Sequence, residues 1–374
     1  MRLGLLLAFG TALSAQGLKD SPPDLWMEVQ QLSQAMDSGD WQQAARHSSR
    51  LEALVIAQRD SVLRGASAER INQVLSWLPT DTETIVVAQQ PFKLVERDQN
   101  VEPAALAMAQ GYVLHLLAAG DEGRFLKPLE GSTIRFSVVA ARNFAVHQPD
   151  KNDSIPLGMI AWEGCAVYGF ATPIPAELFP KQPDTVIAAH QVWTTTGKDY
   201  DSTETGGATE RSGTYLATLL QPDELLACND RGFFSWVLDR LSASTKGSQF
   251  ESWPEWKQVD RSAPLWGMRH LRAHSAESDP TDIRTGGMLG FTDDKAIGIT
   301  LQVGGPGGKV QARLLTPTTQ DPWADLAANP EFGSGGATQR VGAGVWEYSC
   351  VDEHGFGARQ IFALMAIMGF MVLV

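Results

Sequence analysis

Residues 225–241, LLACNDRGFFSWVLDRL, predict a strand, a helix cap and an amphipathic helix in direct succession. The apolar run 225–228 has the length of a buried strand. Asn229 and Asp230 carry side-chain oxygens of the kind that cap the first turn of a helix. Apolar residues then recur at helical spacing over 232–241. The stretch therefore predicts one strand–cap–helix unit.

A second unit of the same order lies near the end of the chain, where the residues differ but the pattern returns. Residues 345–350 predict a strand, Asp352 and Glu353 a cap, and 356–368 a helix. Two copies of one unit suggest two related α+β halves.

The N-terminal region predicts helices rather than strands. Apolar residues recur near period 3.6 over 24–75, and a polar break at 37–40 ends one helix and caps the next. These two helices form a predicted antiparallel hairpin. A further helix over 66–78 stops before Pro79, which cannot continue a helix.

The remainder of the chain predicts short strands separated by turn residues. The predicted strands cover 84–88, 133–140, 159–171, 186–195, 215–220, 225–228, 265–270, 296–303, 309–315 and 345–350. A helix is expected over 104–119, a polar hairpin tip over 199–207 and a loop over 317–338. This segregation favours an α+β fold, with an N-terminal helical hairpin followed by mostly antiparallel sheets and packed helices.

Changes in composition divide the chain into four predicted segments. Residues 1–17 form a signal peptide and 18–78 a helical segment. Residues 79–222 form a first α+β half, and 223–374 form a second half that ends in an apolar helix and strand.

The first residues have the pattern of a secretory signal peptide. Arg2 precedes a short apolar run, and small residues follow it. The run is shorter than the roughly 20 apolar residues that span a bilayer. The sequence therefore predicts an exported chain, either periplasmic or extracellular.

The C-terminal tail, residues 361–374, is apolar throughout. Its length is shorter than a membrane-spanning helix needs and is typical of a buried helix. A buried helix with a final strand is the favoured interpretation. Membrane association through the tail remains the alternative.

The charge of the chain excludes one class of partner. A formal net charge of −13 argues against nucleic acid, because phosphate binding needs clustered lysine and arginine. Acidity of this extent favours solubility. A protein or another envelope component is the expected partner.

Three cysteines, Cys165, Cys228 and Cys350, occur in this exported chain. An odd number leaves at least one thiol or an intermolecular bond. Each lies in or beside an apolar run, which favours small buried side chains, and burial also argues against Cys165 as a nucleophile. If one bridge forms, the favoured pair is Cys228–Cys350.

The sequence contains no cofactor-binding fingerprint, nucleophile elbow, zinc-binding helix or paired-cysteine spacing, so no cofactor is expected. His270 and His274 are four residues apart and share one face of a helix or strand, and Asp279 lies in the adjoining loop. These three are weak candidates for metal ligands. Ion pairs with neighbouring arginines explain them without a metal, so no metal is predicted.

One triad can be assembled from residue types alone. His190 with Asp199 or Asp201, and Ser202 nearby, would form a catalytic site only if the fold brought them together. The catalytic residues, and whether the chain is an enzyme, stay open.

Three of the eleven tryptophans, Trp253, Trp256 and Trp266, cluster around Pro254 and Pro264. If exposed, they would stack on a sugar or a peptide, and they are the ligand-stacking candidates. If buried, they fill the edge of a core, which is the commoner place for tryptophan.

The segments WPEWKQVD at 253–260 and PLWGMRH at 264–270 resemble a stretch found in exported bacterial proteins of uncharacterised function. The strand–cap–helix unit at 225–241 is similar to that group as well. The resemblance extends over about residues 75–374. It implies an exported α+β domain, and it implies neither an activity nor a catalytic residue.

Two functional classes remain. The first is an exported, non-catalytic binding or structural protein of the bacterial cell envelope, because the chain is acidic, globular and without a catalytic signature. The alternative is a secreted hydrolase with a dispersed histidine and carboxylate site around His190, His270 and His274.

Overall fold

The structure is a computed structural model. It describes residues 23–90, 129, 134–146, 160–202, 208–241, 248–271, 297–304, 309–324 and 336–351. The helices in those residues are α1 Pro23–Asp37, α2 Trp41–Arg64, α3 Ala68–Trp77 and α4 Arg231–Leu241. The strands are β1 Thr84–Ala88, β2 Ile134–Val146, β3 Ile160–Phe170, β4 Thr185–Ile187, β5 His190–Ser202, β6 Ala208–Gln221, β7 Glu224–Cys228, β8 Leu265–His270, β9 Gly298–Val303, β10 Lys309–Leu315, β11 Ala337–Gly342 and β12 Val345–Val351.

Several predictions fall outside the described residues. These are the signal peptide, the helix over 104–119, the second strand–cap–helix unit beyond its strand, and the tail 361–374. No helix in the described part of the chain is long and apolar enough to cross a membrane.

The N-terminal helical hairpin is confirmed. The turn between α1 and α2 places Gly39 at a φ of +74°, which glycine adopts without strain. Asp40 then caps α2, because its Oδ1 accepts a hydrogen bond from the Gln43 N–H at 3.0 Å. Across the hairpin, Glu28 on α1 contacts Nδ1 of His47 on α2 at 2.7 Å.

The two shorter helices begin where side-chain oxygens satisfy their first N–H groups. Ser67 Oγ accepts from the Arg70 N–H at 3.1 Å before α3. Asp230 Oδ1 accepts from the Phe233 N–H at 2.6 Å before α4, as the sequence predicts. Both helices bury apolar faces against the sheet, namely Ile71, Val74 and Leu75 of α3 and Phe233, Phe234, Val237 and Leu238 of α4.

The twelve described strands form one antiparallel sheet beside four helices, so the described chain is of mixed α and β structure, and the expected strand direction is confirmed. Its order is β11-β12-β10-β9-β8-β1-β2-β3-β7-β6-β5-β4. One face carries α3, α4 and the 3-10 turns over 249–257. Between β2 and β5, the opposite face carries a second cluster around Tyr168, Phe170 and Trp193.

The sheet contains two sets of five strands with the same internal order. The first set is β1-β2-β3-β7-β6 and the second set is β8-β9-β10-β12-β11, and both run outward from the central β1–β8 pair. β7 and β12, the strands of the two predicted units, occupy the same place in their sets. β7 lies between β3 and β6, so it belongs to the first set.

The central pair has a symmetric register. Val86 faces Gly267, and equal steps along the two strands pair Ile85 with Met268 and Val87 with Trp266. Beyond the ladder, the Gln89 N–H donates to Pro264 O at 2.9 Å and the His270 N–H donates to Glu83 O at 2.8 Å. Gln89 of the first set and His270 of the second set are therefore equivalent positions.

The predicted strand over 186–195 is interrupted in the structure. Ala188 and Ala189 take positive φ angles of 47° and 66°, which make a tight turn between β4 and β5. β5 then continues to Ser202, so residues 199–202 of the predicted hairpin tip are strand, and residues 203–207 lie outside the described residues. Alanine gives no turn signal in a sequence, which is why the break was not predicted.

The favoured pairing of Cys228 with Cys350 is wrong. The structure joins Cys165 to Cys228, which face each other directly on β3 and β7. Cys350 keeps its thiol, buried on β12. Since β12 lies seven strand spacings from β7, about 34 Å across the sheet, Cys350 cannot reach Cys228.

Candidate functional site

His270 is the predicted site residue around which the described structure builds a polar centre. It ends β8, on the same face as Trp266 and Met268, which belong to the helix-side core. The 3-10 turns Gln249–Ser252 and Glu255–Lys257 cover this end of the strand. Their residues supply the neighbours of the imidazole.

The three candidate tryptophans do not form an open platform. Trp266 is 1% exposed and Trp256 is 9% exposed, and their rings meet edge to face at 6.4 Å. Trp253 stacks on the His270 ring at 5.0 Å and receives the edge of Phe250 at 4.8 Å. The tryptophans therefore pack on one another or on His270, and the burial alternative describes Trp256 and Trp266.

Glu255 is the partner of His270 that the sequence did not single out. Its side chain is 0% exposed, and its two carboxylate oxygens lie 3.2 and 3.3 Å from Nδ1 of His270. Among the described residues, His270 is the one side chain that hydrogen-bonds this carboxylate. A buried carboxylate needs such a partner, because the loss of its hydration is costly.

A glycine on the neighbouring strand makes room for that carboxylate. Gly298 of β9 faces His270 in the sheet register. A Cβ at Gly298 would lie 1.5 Å from Glu255 Oε1, so any side chain there would displace the carboxylate. Glu255, His270 and Gly298 therefore form one interdependent arrangement.

The equivalent place in the first set is built differently. Gln89 stands where His270 stands, and its side-chain Nε2 donates to Arg261 O at 2.9 Å and Ala263 O at 2.8 Å. The next register position on β2 is Phe136, in the place of Gly298, and its ring is fully buried against Gly169. The first set closes the same strand end with an amide and an aromatic ring, so the fold does not itself require a buried acid.

Two charged side chains near the site, Arg313 and Arg261, already contact other groups. Arg313 of β10 donates through Nη1 to Gln258 O at 2.7 Å, which ties it to the turn that carries Glu255. Its Nε donates to Glu347 Oε2 at 2.9 Å, so this guanidinium is held by another acid. Arg261 lies over the Trp256 ring at 4.1 Å.

The arrangement presents an oriented imidazole to solvent. The His270 side chain is 31% exposed, and no described residue hydrogen-bonds its Nε2. When Nδ1 carries the proton that the carboxylate accepts, Nε2 has a lone pair directed outward. Such a group accepts a proton or binds a hydrogen-bond donor.

The triad around His190 is wrong. His190 begins β5, and Asp199 lies nine residues further along the same strand, about 30 Å away at the strand rise per residue. Asp201 and Ser202 lie further still. A continuous strand holds these residues apart.

A second group of charges, around Arg142, is structural. Its guanidinium contacts Asp81 at 2.8 Å, Glu163 at 2.9 Å and Asp230 at 3.3 Å, and it lies over the Phe233 ring. Burial alone would lower the pKa of Arg142, but its hydrogen bond to Asp81 and the charges of Asp81 and Glu163 raise it. A permanent cation therefore fills the space among the three carboxylates.

The weak metal candidates are only partly described. His270 lies in the site above, whereas His274 and Asp279 fall outside the described residues. Within the part of the chain that the structure describes, no three metal-binding side chains come together.

Glu255 and Gly298 are the residues of this candidate site that the sequence analysis did not predict. The available signal was an acid between two tryptophans, in Trp253-Pro254-Glu255-Trp256, because a charge inside an aromatic segment is rarely placed there by packing alone.

No protein-family model matches the chain, and no curated protein matches it. Among solved structures, crystal form I of TP0453 is 10% identical with a TM-score of 0.38, over 79% of this chain and 96% of that chain. Crystal form III of TP0453 is 10% identical with a TM-score of 0.37, over 78% of this chain and 97% of that chain. Similarity of this extent carries no argument about function.

Proposed function

We propose that this chain is an exported binding or structural protein of the bacterial cell envelope. The observation that carries the proposal is the Cys165–Cys228 disulfide in the helix-side core of the sheet. Disulfides persist in oxidising compartments and are rare in the cytoplasm. The bridge therefore supports export independently of the signal-peptide pattern at the N-terminus.

The side chains around His270, in the part of the chain that the structure describes, favour binding over catalysis. Among the described residues, no serine, threonine or cysteine side chain hydrogen-bonds His270, so no activated nucleophile accompanies it. The partner that we propose is a protein or another envelope component, in keeping with the acidic charge.

The experiment follows location and thiol state together. The full chain is expressed in a bacterial host beside a variant lacking residues 1–17, and both are quenched in acid and then alkylated under denaturing conditions, because all three cysteines are buried. We expect the full chain outside the cytoplasm with one alkylated cysteine, and the truncated chain in the cytoplasm with three. A full chain retained in the cytoplasm with three reactive thiols would refute export.

The role of the tail is tested in the same cells. Alkaline extraction separates anchored from peripheral protein, and deletion of residues 361–374 supplies the comparison. A tail that anchors the chain gives an extractable, equally stable deletion variant. A tail that belongs to the core gives a soluble full chain and an unfolded deletion variant.

A secreted hydrolase is the second candidate. The Glu255–His270 pair favours it, because a carboxylate that orients a solvent-exposed imidazole is a recurring arrangement in hydrolases. A water molecule would then serve as the nucleophile.

A further inference from the structure

We propose that His270 is the general base of a hydrolytic site and that Glu255 is its positioning residue. The substrate class is a carbonyl compound that a water molecule activated by Nε2 can attack, and a small carboxylic ester is the probe. This inference deepens the second candidate function and rests on it.

The imidazole is held from three directions. The His270 backbone N–H is fixed to Glu83 O at 2.8 Å, its ring stacks on Trp253, and its Nδ1 lies between the two Glu255 oxygens. A base fixed in this way loses little freedom when a ligand binds. The contacts leave Nε2 as the one ring nitrogen that faces outward.

Glu255 is present although packing at this position does not require an acidic side chain. Gly298 leaves a space that Glu255 fills, whereas the equivalent position of the first set holds Phe136 in a closed core. The equivalent of His270 is Gln89, whose amide only closes backbone hydrogen bonds. Positions at which two similar substructures differ in this way are the expected places for function.

The chemical step balances without a further reactant. Nε2 takes a proton from water while the water oxygen bonds to the carbonyl carbon and the carbonyl electron pair moves to oxygen. The tetrahedral species then expels the alcohol oxygen, which receives the proton from Nε2. The products are a carboxylic acid and an alcohol, and Glu255 stays ionised throughout.

The tautomer of His270 is the first test, and it needs no activity. Long-range proton–nitrogen NMR on the labelled full chain reports which ring nitrogen carries the proton, and His270→Gln assigns the signal. We expect neutral His270 to be protonated on Nδ1. A neutral ring protonated on Nε2 overturns the proposal.

The second test is hydrolysis of p-nitrophenyl acetate. We expect His270→Gln to lower kcat/KM about 100-fold, the usual contribution of a general base. We expect Glu255→Gln to lower kcat by no more than the loss of the base itself and to leave KM unchanged, because this group acts only by orienting the base. His190→Gln is the matched control, because His190 is a partly exposed histidine far from the site, and its rate should equal that of the wild type.

A double variant guards against unfolding. His270→Gln alone leaves the buried Glu255 charge without its partner, whereas His270→Gln with Glu255→Gln removes both together. If hydrolysis persists in the folded double variant, the hydrolase candidate stands with another base and this inference fails. If the wild type hydrolyses no faster than the double variant, both fail, and the proposal of an exported binding protein is untouched.

Discussion

The first and second sets share one strand order but are held together by different chemistry. In the first set, Cys165 on β3 and Cys228 on β7 are joined by a disulfide. In the second set, the equivalent register places Gln311 opposite Ser349, so both cysteines are missing there. The same backbone pairing therefore accepts either a covalent bond or a pair of polar side chains, which shows that the bridge is an addition to the fold.

The sets differ again at the strand ends beside the central pair. Gln89 and Phe136 close the first set with backbone hydrogen bonds and a ring, and His270 and Glu255 close the second set with a buried charge over Gly298. The difference teaches that the fold closes this strand end without an acid in one set and with a buried acid in the other. Substitutions at these equivalent positions test that conclusion.

The largest expected effect is at His270. His270→Ala removes the hydrogen-bonding partner of a fully buried carboxylate, and we expect it to lower the free energy of unfolding by about 3–5 kcal/mol. Gln89→Ala loses two hydrogen bonds to backbone carbonyls, and we expect a loss of about 1–3 kcal/mol. Urea unfolding of the two variants measures the contrast.

We attribute the loss of stability in His270→Ala to the unpaired charge of Glu255, and a second substitution tests this cause. Adding Glu255→Gln to His270→Ala should restore most of the lost stability, because the uncompensated charge is gone. If Gln89→Ala and His270→Ala lowered the free energy of unfolding equally, and Glu255→Gln did not change the loss at His270, the two strand ends would be energetically alike.

Removal of the disulfide, which lies in the first set, should lower the free energy of unfolding by a similar or slightly smaller amount. It joins residues separated by 63 positions, for which chain entropy predicts a contribution of about 4 kcal/mol. Replacing both Cys165 and Cys228 by alanine should lower the free energy of unfolding, measured in urea, by that amount. Cys350→Ala is the matched control, and we expect a loss of only about 1 kcal/mol from the smaller buried side chain. A double variant as stable as the control would contradict the prediction.

The second set offers the reverse experiment. Val310→Cys places a thiol directly opposite Cys350, one register position from the pair that is equivalent to the bridge of the first set. We expect oxidation to form a second bridge and to stabilise the chain by about 2 kcal/mol, since engineered bridges deliver less than chain entropy predicts. Burial of the Tyr348 phenol, together with its interaction with Cys350, raises the pKa of Tyr348, so the bridge should also change the alkaline titration of this tyrosine. Mass spectrometry under non-reducing conditions detects the bond.

Local sequence signals predicted most of the described elements. The strands over 84–88, 265–270 and 309–315 have the predicted bounds, and α4 begins at the predicted cap. The repeated strand–cap–helix pattern identified β7 and β12, which occupy equivalent places in the sheet.

The sequence did not predict which strands, or which side chains distant along the chain, would lie next to each other. The partner of Cys228 depends on which strand lies beside β7, and the order of strands in a sheet is not encoded by spacing along the chain. His270 was a candidate, but Glu255 lies fifteen residues earlier in a 3-10 turn, and their contact depends on how that turn packs on β8. The His190 triad failed for the opposite reason, since a strand separates residues that are near in sequence.

The smallest expected effect is at two turns, one in each half of the sheet. The β4–β5 turn holds Ala188 and Ala189 at positive φ, whereas the β11–β12 turn uses Gly344 at a φ of +74°. Asparagine and glycine adopt these angles with less strain than alanine. We therefore expect Ala188→Asn with Ala189→Gly to raise the free energy of unfolding by about 1 kcal/mol, and Gly344→Ala to lower it by about 1 kcal/mol. Urea unfolding resolves both signs, and a change of the same sign at both turns would show that backbone strain does not distinguish them.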